Sequence, residues 1–280
     1  MIKGAALAIV ALSLFASPVH RGEPDLDVAL VLAVDASSSM TGTEYTLQRD
    51  GFAEAFRSTR VHRAIQQGGL GRIAVTYVEW SGGDQQTVII PWTVITRREE
   101  AIRFADRISA HHPAEGRYTS ISGAMTFSAA LFDSAPGRPM RRVIDISGDG
   151  PNNDGVSVAW ARDQAIAAGI TINGLPIMTK PSPWSVPGYD VYLHGVKQTW
   201  DVEHLDAYYR DCVIGGPGAF LVPVTDTSQF TEAITTKVLL EIAGTISVEA
   251  QVQRASTSER TNCMGGELRR REDEARSIGP

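Results

Sequence analysis

The run Asp27-Val28-Ala29-Leu30-Val31-Leu32-Ala33-Val34 restricts the fold of this chain more than any other stretch. A strand with one wet face alternates apolar and polar side chains, whereas Val28 to Val34 is apolar at every position. Such a strand needs cover on both faces, which is the situation of a central strand in a parallel sheet. The run ends in an acid, Asp35, followed by three hydroxyl residues, Ser37-Ser38-Ser39.

Downstream, strand-like and helix-like segments alternate. A helical stretch spans about 43–67, then two β-rich segments, 72–80 and 86–90, flank the turn Ser81-Gly82-Gly83-Asp84 and read as a hairpin. Segments 97–110 and 120–132 are helical in pattern, Arg142 to Ser147 is a strand, and 156–168 is a helix stopped by Gly169. Strand 170–177, helix 202–209, strand 219–224 and a final helix capped by Asp226 or Ser228 and running to about Ala243 complete the series. Strands separated by helices predict an α/β, doubly wound, mostly parallel central sheet with helices on both faces and one antiparallel edge hairpin. The segment Met178–Trp200, rich in Pro, Gly and aromatics, is the one long connection.

The first residues have the architecture of an export signal. Met1-Ile2-Lys3 is a short positive start, Gly4 to Phe15 is almost unbroken apolar, and Ala16 and Ser17 are small. A bilayer span takes about 20 apolar residues, so the run is short for a membrane helix, and no second stretch is a better one. The expected organisation is a signal peptide over 1–20, one domain over 25–245, and a polar, unstructured tail over 246–280. Export implies a periplasmic or secreted protein.

Of 280 residues, 43% are apolar and 21% charged, enough for a full core in one domain. The net charge of −6 and the lack of a basic stripe argue against nucleic acid, whose phosphates need a clustered positive field. Two cysteines occur. Cys212 reads as a small buried packer and Cys263 falls in the polar tail, so a bridge between them is not expected.

Chemistry concentrates in three segments. Asp35-Ala36-Ser37-Ser38-Ser39 leaves the carboxyl end of the apolar strand, where open α/β sheets gather ligands. One carboxylate and two hydroxyls at that spacing suit a hard divalent cation, which takes oxygen donors. Taken alone, the segment is equally a hydroxyl-rich turn capping the next helix. Tyr118-Thr119-Ser120 precedes an apolar helix, where Thr119 is equally an N-cap. Gly148-Asp149-Gly150 ends a second buried strand with an acid between two glycines, a pattern also found in simple turns.

In order and context, Asp35-x-Ser37-x-Ser39, Thr119 ahead of Ala124-Met125, and Asp149-Gly150 resemble the metal-ion-dependent adhesion site of von Willebrand factor type A domains. The resemblance spans about 27–244. The stretches Val78-Glu79-Trp80 and Tyr208 to Gly218 are further similar to a bacterial exported branch catalogued as a domain of unknown function. It implies a metal set of Asp35, Ser37, Ser39, Thr119 and Asp149, with Mg²⁺ as the default cation and Mn²⁺ compatible. It also implies a protein ligand whose acidic side chain completes the shell. Two departures stand out: Ser147-Gly148 replaces a common leucine-threonine, and Tyr118 replaces a common glycine.

Competing motifs fail on chemistry. Gly148-Asp149-Gly150-Pro151 lacks the third glycine of a dinucleotide loop and carries an acid that would repel pyrophosphate. Pro151 falls where a calcium loop needs an oxygen donor, although Asn153 or Asp154 can add an outer contact. An aspartyl phosphatase would need an acid at position 37, and no Gly-x-Ser-x-Gly elbow occurs. His111-His112 reads as a solvated pair at a helix end, and Trp80 and Trp92 as core or sheet-edge residues. The expected function is a non-enzymatic, metal-dependent protein-binding module. An envelope scaffold with a vestigial site and a metal-dependent hydrolase are the alternatives.

Overall fold

The computed structural model describes residues 24–112, 114, 116–179, 191–193, 196–198, 205–244, 253–254 and 261–277. The expected signal peptide, and Pro181, Trp184, Tyr189 and Trp200 of the long connection, lie outside the described residues.

The apolar run is an interior strand of a seven-stranded sheet. Strand β1 (Leu26–Asp35) is followed by helices α1 (Gly42–Arg57) and α2 (Thr59–Gln66), then β2 (Ile73–Trp80), β3 (Gln86–Ile95) and α3 (Arg98–Ser109). The chain continues through α4 (Ile121–Leu131), β4 (Pro139–Gly148), α5 (Val158–Ala167) and β5 (Thr171–Pro176). A short hairpin, β6 (Val191–Leu193) and β7 (Val196–Gln198), precedes α6 (Leu205–Tyr208) and a π-helical turn at Tyr209–Val213. Then come β8 (Phe220–Leu221), α7 (Phe230–Ala243), β9 (Gln253–Arg254) and α8 (Gly265–Ser277).

The main sheet runs β3-β2-β1-β4-β5-β8-β9, and only β3 and β9, at its two edges, are antiparallel to their neighbours. Because side chains alternate along a strand, β1 feeds two cores. Val28, Leu30, Leu32 and Val34 face α1, α2, α3 and α7, where Phe52, Phe56, Phe104 and Phe230 are buried. Ala29, Val31 and Ala33 face the other layer, with Met125 of α4, Ala161 of α5 and Tyr209 of the π turn. The doubly wound architecture and the edge hairpin agree with the sequence expectation. Chain order reverses at β1, with β2 on one side and β4 on the other. The crevice outside the carboxyl ends of β1 and β4 is therefore the topological switch point, where ligands bind in such sheets.

Four expectations are corrected. The helix expected over 43–67 is two helices, divided where Ser58 leaves the helical region and caps α2 by accepting the N–H of Arg60. The strand expected over 219–224 shrinks to two residues, with Val224 contributing a single bridge to Ile177. The tail expected to lack structure contains α8, packed on the domain, and Cys263 is disulfide-bonded to Cys212 with their Cα atoms 5.5 Å apart. Sequence separation hid that bridge, since polarity around Cys263 reports solvent exposure on one side of the segment and says nothing of the other. Among the described residues, no helix is long and apolar enough to cross a membrane.

Candidate metal centre

Three loops converge above the carboxyl ends of β1 and β4. The first leaves β1 at Asp35 and enters α1. Its helix is capped by Thr41, whose side chain accepts the N–H of Glu44 while Glu44 accepts the N–H of Thr41. The serines upstream are thus outside the cap. The Ser37 N–H donates to Asp35 Oδ1 at 2.7 Å, which folds the loop back on the strand end. Ser37 and Ser39 hydroxyl oxygens lie 2.9 Å apart. Tyr45 of α1 donates its hydroxyl to the Ser37 carbonyl at 2.7 Å, and Gln48 donates to the Asp35 carbonyl at 3.2 Å.

The second loop, 116–120, lies alongside the first. Ser38 N–H donates to the Gly116 carbonyl at 2.6 Å, and Gly116 N–H to the Ala36 carbonyl at 2.8 Å. The N-cap of α4 is Ser120, which accepts the N–H of Gly123 at 3.1 Å, so Thr119 is not the cap. Thr119 is 4% exposed.

The third loop follows β4. Asp149 Oδ1 accepts the Ser39 hydroxyl at 2.6 Å, joining residues 110 apart in sequence. Asp35, Ser37, Ser39 and Asp149 thus form one hydrogen-bonded chain. Thr119 is tied to the third loop by its backbone, which exchanges two hydrogen bonds with Asn153.

Sequence reasoning passed over two residues here. Tyr209, on the π turn, is fully buried, and a Cβ placed on Gly148 would lie 2.7 Å from Asp35 Oδ2 and 3.0 Å from Tyr209 Oη. Gly148 therefore leaves room for a carboxylate oxygen and a phenol to approach the same point, which accounts for the departure from threonine. Asn152, also fully buried, accepts the Ser122 N–H at 2.9 Å. Asn152 adjoins an Asn already noted as an outer contact, so its composition was a usable signal. Tyr209 lay in the stretch that resembles the exported branch, but nothing in that stretch tied it to this site, since only the fold brings it across 60 residues.

The electrostatics are those of crowded negative charge. Asp35 is fully buried, and its carboxyl is pushed up to about 8, first by burial and then by the charge of Asp149; hydrogen bonds from Ser37 and from the Asp149 backbone pull the other way. Asp35 Oδ2 is buried and has no hydrogen-bond partner among the described residues. The Tyr209 hydroxyl is raised well above its ordinary value by burial and by the charges of Asp35 and Asp149. An orphaned, buried carboxylate oxygen is costly unless it is protonated or faces a cation. Two carboxylates and three hydroxyl residues are oxygen donors of the kind that a hard divalent ion takes. Among the described residues, no three His, Cys, Asp or Glu side chains cluster to hold a metal, so hydroxyl oxygens would have to share in any coordination here.

Elsewhere, Trp80 is buried and Trp92 donates its indole N–H to the Leu131 carbonyl at 3.1 Å, in keeping with a packing role. His111, expected to be solvated, is half-buried with Nε2 2.9 Å from Glu79 Oε1. The two line a cavity of about 500 Å³ beside the first loop, with Ala36, Ser81, Gln86 and Gly116.

Solved structures with the same fold come from unrelated settings. Proximal thread matrix protein 1 from the mussel byssus superposes with a TM-score of 0.52 at 15% identity, covering 78% of this chain and 48% of that one. Another structure of that protein holds zinc in its metal-ion-dependent adhesion site (TM-score 0.51, 16% identity, 79% and 49% coverage). A von Willebrand factor type A protein from Catenulispora acidiphila gives 0.51 at 12% identity, with 78% and 43% coverage. The pilus adhesin SpaC from Lactobacillus rhamnosus GG also gives 0.51 at 12% identity, with 78% and 31% coverage. The chain spans about half or less of each of these proteins, and at such identities the likeness shows the fold. A search of curated proteins finds no match. With a von Willebrand factor type A fold and a family match running over residues 25–246, the chain belongs to the family described as protein of unknown function (DUF1194).

Proposed function

We propose that this protein is a non-enzymatic, divalent-metal-dependent protein-binding module of the cell envelope, exported by its first 20 residues. Asp35, Ser37, Ser39, Thr119 and Asp149 would hold the cation, Mg²⁺ or Mn²⁺. The observation that carries this reading is the hydrogen-bonded chain from Asp35 to Asp149 beside the orphaned Asp35 Oδ2, at the switch point of the sheet. A bound divalent ion supplies positive charge and open coordination positions. Each residue of the chain has its own task. Ser37 N–H orients the Asp35 carboxylate, Ser39 orients Asp149, and Tyr45 fixes the backbone between the two serines. The two serines and Thr119 offer neutral oxygens, so the ion keeps net charge for an acidic side chain of a partner protein. The presence of an adhesin and a matrix protein among the structural relatives is in keeping with an interaction role.

The test is thermal unfolding of chelator-treated protein, with and without Mg²⁺ or Mn²⁺. A ligand that binds only the native state stabilises it by about 2.7 kcal/mol at a hundredfold excess over Kd. For a domain of this size that raises Tm by roughly 5–10 °C. Asp35→Ala should abolish the shift and the recovery of acidic partners in a pull-down. A wild-type Tm unmoved by either ion would overturn the proposal.

A further inference from the structure

We infer that the C-terminal segment Thr261–Ser277 is an outer brace of the metal centre, with Glu267 and Arg270 as positioning residues for the loops that carry Thr119 and Asp149. The inference rests on the metal reading above and assigns a task to a part of the chain that reading does not use.

The segment is anchored where it matters. The Cys212–Cys263 disulfide fastens it to the π turn that begins with Tyr209, the residue beside Asp35. Thr261 adds a hydroxyl bond to Asp211 on the same turn at 2.7 Å. From that anchor α8 crosses the third loop. Gly266 packs so closely on it that a Cβ there would lie 2.1 Å from the Asn152 carbonyl oxygen. Glu267, 7% exposed, accepts the Asn152 side-chain N–H at 2.7 Å. The other end of the same amide accepts the Ser122 N–H, in the first turn of α4.

One turn further along α8, Arg270 grips both loops. Its guanidinium donates to the Asp154 carboxylate, and to the Asn153 carbonyl at 3.3 Å. It also stacks over the Tyr118 ring with Cζ 4.0 Å from the centroid. Tyr118 immediately precedes Thr119, and Asn153 is hydrogen-bonded to Thr119. A single arginine thus spans the gap between two loops that must keep a fixed separation for their oxygens to share one ion. Groups that hold metal-bearing residues in place typically matter about 10–100-fold in affinity when removed.

The experiment uses the full exported chain, titrated calorimetrically with Mn²⁺, together with residue-resolved amide exchange at Thr119 and Ser122. Arg270→Ala, at a partly exposed surface site, should keep the fold intact; Glu267→Ala tests the buried contact, and Glu267→Gln restores an acceptor for Asn152. Both alanine variants should bind Mn²⁺ about 10–100-fold more weakly and exchange faster at Thr119 or Ser122, while Glu267→Gln stays near wild type. Affinity within twofold of wild type and unchanged exchange in both alanine variants would overturn the inference. Should wild type itself show no Mn²⁺ binding, the metal reading falls. Exchange then decides the brace: acceleration at these two amides supports it, and none refutes it.

Discussion

The side-chain oxygen of Asn153 accepts the Thr119 N–H at 2.9 Å, and the Asn153 N–H donates to the Thr119 carbonyl at 2.8 Å. The loop after β4 is thereby fastened to the loop before α4 at Thr119, the residue proposed to complete the metal set. Replacing Asn153 by Ala leaves the Thr119 N–H without its partner, at a cost of about 1–3 kcal/mol in stability. Denaturant unfolding should show that loss, and Mn²⁺ titration a fall in affinity of about tenfold or more.

Gly148→Ala should be more damaging to the site than to the fold. The added methyl would meet Asp35 Oδ2 at 2.7 Å and Tyr209 Oη at 3.0 Å, well inside van der Waals contact. Asp35 is the shorter and more movable of the two, so its carboxylate turns away. The expected result is loss of the metal-induced rise in Tm, with a metal-free stability penalty of about 1–3 kcal/mol.

Metal-free protein should lose stability as pH rises from about 4 to 8. In the folded state the Asp35 carboxyl is pushed up to about 8 from an ordinary value near 3.8. Over that window the native state holds a proton that the unfolded chain has released, so stability falls with increasing pH. Glu241, pushed up to about 8 by burial and by Asp145, acts in the same direction. Comparing wild type with Asp35→Asn isolates the site: the variant should show a shallower decline. Added Mn²⁺ displaces the proton, so its stabilising effect should grow with pH over the same range. Equal pH slopes for both proteins would refute this account.

Lys237 of α7 is fully buried, with Nζ 2.5 Å from both Asp145 of β4 and Glu241. Replacing it by Met strands two buried acids, and breaking a buried pair from one side costs about 3–5 kcal/mol. Chemical denaturation at neutral pH should show that loss. Acidification should restore part of it, because both carboxyls are shifted upward by burial and become neutral readily.

The Cys212–Cys263 bridge closes a loop with a sequence separation of 51 residues. In the chain-entropy account that constraint is worth about 4 kcal/mol. Cys263→Ser, which spares the buried Cys212 position, should lower stability by about 2–4 kcal/mol. A dithiol reductant should lower wild type by a similar amount and leave the variant unmoved.

Much of this molecule follows from local patterns. The unbroken apolar run of β1 demanded cover on two faces, and two cores duly flank it. The turn at 81–84 yielded the antiparallel edge pair, and the hydroxyl-rich loop after Asp35 sits where a parallel sheet concentrates ligands. These features arise from side-chain period and turn chemistry, both of which act within a few residues and so are written in the order of the chain. What the tertiary structure alone decided is of another kind. The pairings Cys212–Cys263, Glu267–Asn152 and Arg270–Tyr118 join residues 51 to 152 positions apart. Such contacts depend on the approach of surfaces distant in sequence, which no local period encodes. The candidate residues were therefore legible one by one, and the arrangement that brings their loops together was a product of folding.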